Sequence, residues 1–291
     1  MHANAATRNR PDVRRMLQSA RIIHPFPLAL NVAATAALAV IASDGLPPTS
    51  ALLRLTGAMF CVQAAIGASN DYFDRDLDAR TKPFKPIVRG LVAPRDALVL
   101  AGGFVLAAGA LAATMGPLSF VVGAVGLGAG LAYNVRLKRS VLSAVPFMVA
   151  LPALPFWVWV SLGRFTSDLW WLIPFAPLAG LAVHLTNTAP DLDADRRAGV
   201  RGLAHVIGIG PTLLLGWGSF AAAIGLAVAL GLHLEYDWRA FLLGAIPASV
   251  LLLVTVTAYL WRRSQPALQL GFGLIGMATA SLAGGWLAAV Y

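Results

Sequence analysis

The chain reads as an all-α polytopic membrane protein with nine transmembrane helices. Three observations carry that reading. First, its 291 residues are 58% hydrophobic and only 12% charged, where a soluble domain carries about 25% charged residues. Second, apolar stretches of roughly 18–25 residues, the length a bilayer core requires, recur nine times. Third, the positive charges fall almost entirely on one side of the membrane that those stretches define.

The elements follow in order. Residues 1–21 form a basic, polar segment with Arg8, Arg10, Arg14, Arg15 and Arg21. It lacks the order of a signal peptide and reads as a cytoplasmic anchor on the membrane surface. Residues 22–291 form the membrane domain. Its spans are expected at Ile22–Ser43, Ala51–Ser69, Ala97–Thr114, Leu118–Tyr133, Val141–Leu162, Leu169–Thr188, Ile209–Leu232, Phe241–Leu260 and Leu268–Val290. Pro146, Pro152, Pro155, Pro174 and Pro177 interrupt the fifth and sixth, which membrane helices tolerate better than soluble ones.

Charge placement sets the orientation. With the N-terminus in the cytoplasm, 19 of the 22 Lys and Arg lie on the cytoplasmic side, and only Arg54, Arg164 and Arg239 lie opposite. A wrong count or orientation would scramble that bias. The C-terminus is then outside, and the protein is expected in the cell inner membrane. The formal net charge of +9 belongs to these loops. It reads as topology and as contact with diphosphate or anionic lipid, with no nucleic-acid partner. The lone Cys61 sits within a span, which leaves no disulfide framework and no Cys-based metal site.

Two aspartate-rich segments stand out on the cytoplasmic side. Asn70-Asp71-Tyr72-Phe73-Asp74-Arg75-Asp76-Leu77-Asp78 follows the second span, and Asp191-Leu192-Asp193-Ala194-Asp195 follows the sixth. Carboxylates near hydrocarbon are costly, so such clusters mark function. If each continues its preceding helix at about 100° per residue, Asp71, Asp74 and Asp78 share an arc of roughly 60° while Asp76 points about 140° from Asp71. Asp191 and Asp195 likewise share a face that Asp193 does not. Asp71, Asp74, Asp78, Asp191 and Asp195 are therefore the expected metal ligands, and Asp76 and Asp193 are not. An all-oxygen set without His or Cys at zinc-like spacing favours Mg²⁺, which bridges carboxylates to substrate phosphates. Lys82, Lys85, Arg89, Lys138 and Arg139 can neutralise the remaining phosphate charge. If the diphosphate carries an allylic lipid chain, cleavage leaves a carbocation stabilised by the departing anion and by π-faces. Tyr72, Phe73, Tyr133, Trp157 and Trp159 are candidates for that last role. Ordinary packing is the alternative for each.

These residues carry a resemblance over nearly the whole chain. Asn70, Asp71, Asp74 and Asp78, with Lys82-Pro83-Phe84-Lys85-Pro86-Ile87 and Gly90, form one motif. Asp191 and Asp195, with Arg196-Arg197-Ala198-Gly199, form a second. Tyr133 with a following Lys forms a third. In this order on nine spans they resemble the UbiA-type intramembrane prenyltransferases. The resemblance implies a nine-helix bundle around a central cavity open to lipid. It also implies two Mg²⁺ ions on the Asp motifs, and transfer of a prenyl group from a prenyl diphosphate to an acceptor. It assigns catalytic roles to Asp71, Asp191, Tyr133 and Lys138, the last two on the diphosphate. Two departures matter. The Lys lies five residues after Tyr133, at Lys138, where many relatives have it after four. His24-Pro25 stands where many have Arg-Pro, which weakens the case for a carboxylate-bearing aromatic acceptor.

Other polar residues have two readings each. Asn70 is a polar site contact or a helix cap. His184 and Asn187 precede Asp191 on its face. His184 binds the acceptor or takes its proton, or is a structural hydrogen-bonder. His205 reads as a structural loop residue. The expected function is Mg²⁺-dependent prenyl transfer to a small-molecule acceptor, aromatic as in quinone synthesis. The alternatives are a terpene cyclase of the same fold, a transferase with a phosphoribosyl donor or glycerol-type acceptor, and, more remotely, an ion-coupled transporter.

Overall fold

The computed structural model describes residues 13–291, so Arg8 and Arg10 of the basic segment lie outside the described residues. Among the described residues the chain is helical throughout, with no strand. The helices are α1 (Val13–Ser19), α2 (Pro25–Ala42), α3 (Thr49–Phe73), α4 (Arg75–Thr81), α5 (Pro94–Ala113), α6 (Pro117–Val135) and α7 (Val145–Ser161). Then come α8 (Ala176–Thr188), α9 (Leu192–Arg197), α10 (Leu203–Ile207), α11 (Ile209–Gly231), α12 (Trp238–Arg262) and α13 (Gln265–Val290). Short 3₁₀ turns occupy Ala20–Ile23, Leu137–Arg139, Ser167–Leu172 and Ala189–Asp191.

Proline sets many of the starts. It stands in the first turn of α2, α5, α6, α7, α8 and α13, where its missing N–H has no intrahelical partner to lose. α12 starts instead on Asp237, whose carboxylate accepts from the backbone N–H of Arg239 at 2.9 Å and of Ala240 at 3.4 Å, a side-chain cap.

Seven helices are long and apolar enough to cross a membrane: α2, α3, α5, α6, α11, α12 and α13. The fifth and sixth expected spans are helical but shorter than their apolar patterns. α7 has 17 residues because Val141–Ala144 forms turns rather than helix. The continuous helix expected over Leu169–Thr188 is broken: Ser167–Leu172 is a 3₁₀ turn, Pro174 sits in the break, and α8 has only 13 residues. At 1.5 Å per residue α8 spans about 20 Å, short of a hydrocarbon core of about 30 Å. Proline explains the break, since its ring clashes with the preceding turn and it donates no hydrogen bond.

The core lies between α7, α8, α11, α12 and α13, around the fully buried Trp159, Trp286, Phe220 and Phe241. Small residues let helices close on one another. A Cβ built on Gly285 would stand 2.6 Å from Gly244 Cα across the α12–α13 contact. Outward-facing Leu106, Leu214, Leu243 and Leu253 are exposed on helix faces, as side chains facing lipid are. One close contact bears directly on the site. A Cβ on Gly67 of α3 would lie 2.8 Å from the Ile23 carbonyl carbon. The bare α3 backbone there lets the Ile23–His24 corner settle against it.

Candidate active site

The first aspartate segment runs on from α3, a candidate membrane span, and the second follows the short α8 through a 3₁₀ turn into α9. α3 ends at Phe73, Asp74 makes a slight kink, and α4 resumes at Arg75. The turn-to-turn ladder survives the kink: Asp74 N–H donates to Asn70 O at 2.9 Å and Asp78 N–H to Asp74 O at 2.7 Å. Helical phase is therefore kept. Asp71, Asp74 and Asp78 are buried, while the Asp76 side chain is 84% exposed. In the second segment Asp195 is buried, Asp193 is exposed and Asp191 is partly covered.

Buried carboxylates need compensation, and lysines supply it. Lys85 donates to Asp71 and lies 3.9 Å from Asp78. Lys138 donates to Asp74, and Arg139 approaches the same carboxylate at 3.7 Å while staying exposed. Lys82 reaches across from the end of α4 to Asp191 at 2.8 Å. That bond ties the two acidic segments together. His24, in the left-handed region at φ 52°, places Nε2 2.8 Å from Asp71 and 3.0 Å from Lys85 Nζ. A non-glycine residue held there is strained, and the strain sits where the corner meets Asp71. Asn70 donates to Asp74 at 3.0 Å.

These contacts shape protonation outside the spans. Burial raises the Asp78 carboxyl above its ordinary value, and Lys85 only partly offsets it. Burial works to lower Lys82, but the Asp191 carboxylate outweighs it and the ammonium sits above its ordinary value. Burial likewise works to raise Asp195, yet the facing His205, Lys138 and Lys82 hold it below the usual carboxylate range. Lys82 therefore stays an ammonium and Asp195 a carboxylate near neutral pH.

No three His, Cys, Asp or Glu side chains among the described residues converge closely enough to chelate an ion by themselves. The donor set still fits Mg²⁺. Asp71 Oδ2 and Asp78 Oδ2 are buried without a hydrogen-bond partner among the described residues. Such orphaned anionic oxygens call for a cation, and Mg²⁺ commonly takes one or two carboxylates and completes its shell with phosphate and water.

The remaining expected residues divide. Tyr133, at the end of α6, packs its ring edge-on to Phe147 at 5.2 Å and to His184 at 5.9 Å. His184 is buried one layer below the acids. Its Nε2 lies 3.0 Å from Ser143 Oγ, which also accepts from Leu203 N–H at 3.1 Å. This is the structural hydrogen-bonding reading of His184. Asn187 is half-buried with no side-chain hydrogen bond, and Arg89 is exposed with no ion pair, among the described residues. Neither side chain is bonded to the lysine–aspartate cluster among the described residues.

One residue escaped the sequence reading, and another lies on a short helix, α10, where a loop was expected. Asn134 is buried beside the motif tyrosine. It accepts from Asn70 at 3.2 Å and donates to Ile66 O and Ser69 Oγ, each at 2.8 Å. A polar amide inside an apolar span was the available signal. His205, read as a loop residue, is buried with Nε2 3.7 Å from Asp195.

Known proteins resemble this arrangement in sequence and in fold. The digeranylgeranylglyceryl phosphate synthase of Methanopyrus kandleri is 28% identical over 251 residues, 84% of this chain and 89% of that protein. The 4-hydroxybenzoate octaprenyltransferase of Photobacterium profundum is 28% identical over 238 residues, covering 76% and 79%. A solved UbiA homologue from Archaeoglobus fulgidus, bound to GPP and Mg²⁺, superposes with a TM-score of 0.67 at 19% identity, covering 91% and 98%. The sequence also matches the UbiA prenyltransferase family over residues 30–281. That stretch takes in both acidic segments, the tyrosine and the lysines that bind them together, and the chain belongs to the UbiA prenyltransferase family.

Proposed function

We propose that this chain is a Mg²⁺-dependent membrane prenyltransferase, built of nine spans around a central cavity with its acidic segments facing the cytoplasm. It moves a prenyl group from its diphosphate to a small-molecule acceptor. One observation carries the reading: Asp71, Asp74, Asp78, Asp191 and Asp195 lie within reach of Lys82, Lys85 and Lys138 at one end of the bundle. An entering diphosphate exchanges partners with this array. The ammonium groups turn from carboxylate to phosphate oxygens, and the freed carboxylates would then be available to hold Mg²⁺. Two Mg²⁺ ions held there would neutralise the diphosphate and improve it as a leaving group.

The chain's own part is electrostatic and positional. Lys82, Lys85 and Lys138 hold the diphosphate as the allylic C–O bond breaks and its electron pair leaves with the phosphate. The Tyr133 ring offers a π-face to the allylic cation. The acceptor forms the new bond to carbon and loses its proton to the released diphosphate or to water. His24 and Asn70 orient Asp71 and Asp74.

An aromatic acceptor is one reading, in line with the octaprenyltransferase relative. His24 favours the other, a glycerol-type acceptor bearing phosphate. It is already engaged by Asp71 and Lys85 and offers no free cation to an aromatic carboxylate. Radiolabelled geranylgeranyl diphosphate, supplied with Mg²⁺ and each acceptor class in proteoliposomes, tests both. A product heavier than the prenyl chain establishes transfer and its mass names the acceptor. A product of the prenyl chain alone means cyclisation, and no turnover with any donor length sinks the proposal.

A further inference from the structure

The loop after α9 contains cationic groups that the diphosphate array does not use. Gly199 takes φ +85°, Gly199 N–H donates to Arg196 O at 3.1 Å, and Val200 N–H donates to Asp195 O at 3.0 Å. This is a Schellman turn, in which glycine's freedom at positive φ closes the helix end. It reverses the chain so that Arg196 and Arg201 flank one hollow. The hollow has a volume of about 460 Å³ and is lined by Arg196, Gly199, Val200, Arg201, His205 and Val206.

Two features separate it from an ordinary basic surface. Arg196 and Arg201 form no ion pair among the described residues, although Asp193 and Asp195 are neighbours in sequence. His205, 6% exposed, has both ring nitrogens buried without a hydrogen-bond partner among the described residues. The residue lines the hollow, but its nitrogens are shut off from solvent and Nε2 faces Asp195 at 3.7 Å, so it shapes the wall and leaves anion contact to the two arginines. The guanidinium forks match phosphate oxygens. Val200 and the exposed Val206 give one wall an apolar face. A site with two arginines and an apolar wall fits a phosphate ester on a lipid-like body better than a free inorganic anion.

We propose that this hollow is a second anion site, which binds the phosphate of the acceptor. It rests on the glycerol-phosphate reading for the identity of its ligand. The position suits the task, because His205 Nε2 lies 3.7 Å from Asp195 Oδ2 and a Cβ on Gly202 would lie 2.8 Å from the Lys138 carbonyl oxygen. A phosphate seated here holds the rest of the acceptor beside the acidic segments and leaves Lys82, Lys85 and Lys138 to the donor. A bilayer phospholipid could supply the same chemistry, so the test separates the two sources.

Phenylglyoxal modification of each arginine, mapped by peptide mass, is the direct measurement. Wild-type protein is used in detergent, with the donor site filled by geranyl S-thiolodiphosphate and Mg²⁺. Geranylgeranylglyceryl phosphate should slow modification of Arg196 and Arg201 while leaving Arg54 and Arg239 unchanged, and the dephosphorylated lipid should not. In turnover, Arg196→Gln and Arg201→Gln should each raise the KM for the acceptor about 10- to 100-fold, the factor carried by a charged hydrogen bond, with the donor KM unchanged. Equal protection by phosphatidylglycerol, with acceptor KM unmoved in the variants, would overturn the acceptor assignment. No protection by either phosphate ester would overturn the site. Protection without any prenyl-transfer product would leave the site standing and remove the transferase reading instead.

Discussion

Replacing Asp74 and Asp76 separately by alanine tests the reading of the first acidic segment. The two residues are two positions apart on one short stretch and share charge and size. Their surroundings differ. Asp74 is buried and holds Lys138, Asn70 and, at longer range, Arg139. Removing one partner of a buried ion pair costs about 3–5 kcal/mol because the other charge is left uncompensated. Asp74→Ala also removes a carboxylate proposed to hold Mg²⁺, and electrostatic groups of this kind carry about 10²–10³ in rate, so it should lower kcat/KM for the prenyl diphosphate by about 100-fold or more. Asp76 is 84% exposed, and its one ion pair among the described residues is with Arg75 at 3.9 Å. Exposed pairs contribute about 0.2–1 kcal/mol, so Asp76→Ala should change kcat/KM no more than about fivefold. The assay is Mg²⁺-dependent consumption of labelled prenyl diphosphate in proteoliposomes, with size-exclusion profiles confirming that both variants fold. A folded Asp76→Ala protein as inactive as Asp74→Ala would refute the argument that helical phase selects the working carboxylates. Normal turnover in Asp74→Ala would refute it as well.

Three further outcomes follow from individual contacts. Gly67→Ala should lower both turnover and thermal stability, because the new Cβ would meet the Ile23 backbone and push the Ile23–His24 corner off α3 and His24 away from Asp71; unchanged turnover in the folded fraction would mean that the corner does not position Asp71. Ser143→Ala should lower the melting temperature by roughly 4–24 °C, since it strips a hydrogen bond from both buried His184 and Leu203 N–H, each worth about 1–3 kcal/mol when left unsatisfied at about 2–4 °C per kcal/mol for a large domain. Asp195→Asn should destabilise the protein near neutral pH. Because folding depresses the Asp195 pKa, its contribution is fully present above the ordinary carboxylate value of about 3.9 and is lost as pH falls through the folded one. The wild-type advantage in thermal unfolding should therefore persist from pH 7 to 5 and narrow below about pH 4. An advantage independent of pH down to 3 would assign the residue a purely packing role.

The sequence carried the parts of this protein that obey periodicity. The 3.6-residue turn alone separates buried Asp71, Asp74 and Asp78 from exposed Asp76, and the kink at Asp74 is too slight to spoil it. The apolar stretches likewise fall on helices. What hydropathy does not report is backbone continuity. The stretch from Leu169 to Thr188 is apolar throughout, yet Pro174 divides it into a 3₁₀ turn and a short helix, because transfer energy is indifferent to a missing N–H. Pairing across the bundle was also hidden. Nothing local in the chain says that Lys82 meets Asp191, 109 positions away, or that Asn134 anchors Asn70. His205 looked like a loop residue because its short stretch lies between Gly202 and Gly208, and only the packing of α10 beside α9 buries it.

The Lys82–Asp191 bond also bears on how substrate binding is organised. Its partners come from α4 and from the 3₁₀ turn that follows α8, elements with no other ion pair between them among the described residues. The pair is about one-third exposed on each side, 32% for Lys82 and 38% for Asp191, so its own contribution to stability is modest. The same exposure makes it the easiest of the four lysine–aspartate contacts among the described residues to exchange, since the Lys85 and Lys138 pairs bury their carboxylates almost completely. A diphosphate entering from solvent would therefore break the Lys82–Asp191 pair first and join the two acidic segments through itself. Lys82→Met should then raise the donor KM more than it lowers kcat, and it should expose the Asp191–Arg201 segment to protease in the absence of substrate. Saturating prenyl diphosphate should restore protection if the phosphate replaces the lost bridge. A segment equally resistant in both proteins without substrate would mean that packing of Leu192 and Val200, rather than this pair, holds the second acidic segment in place.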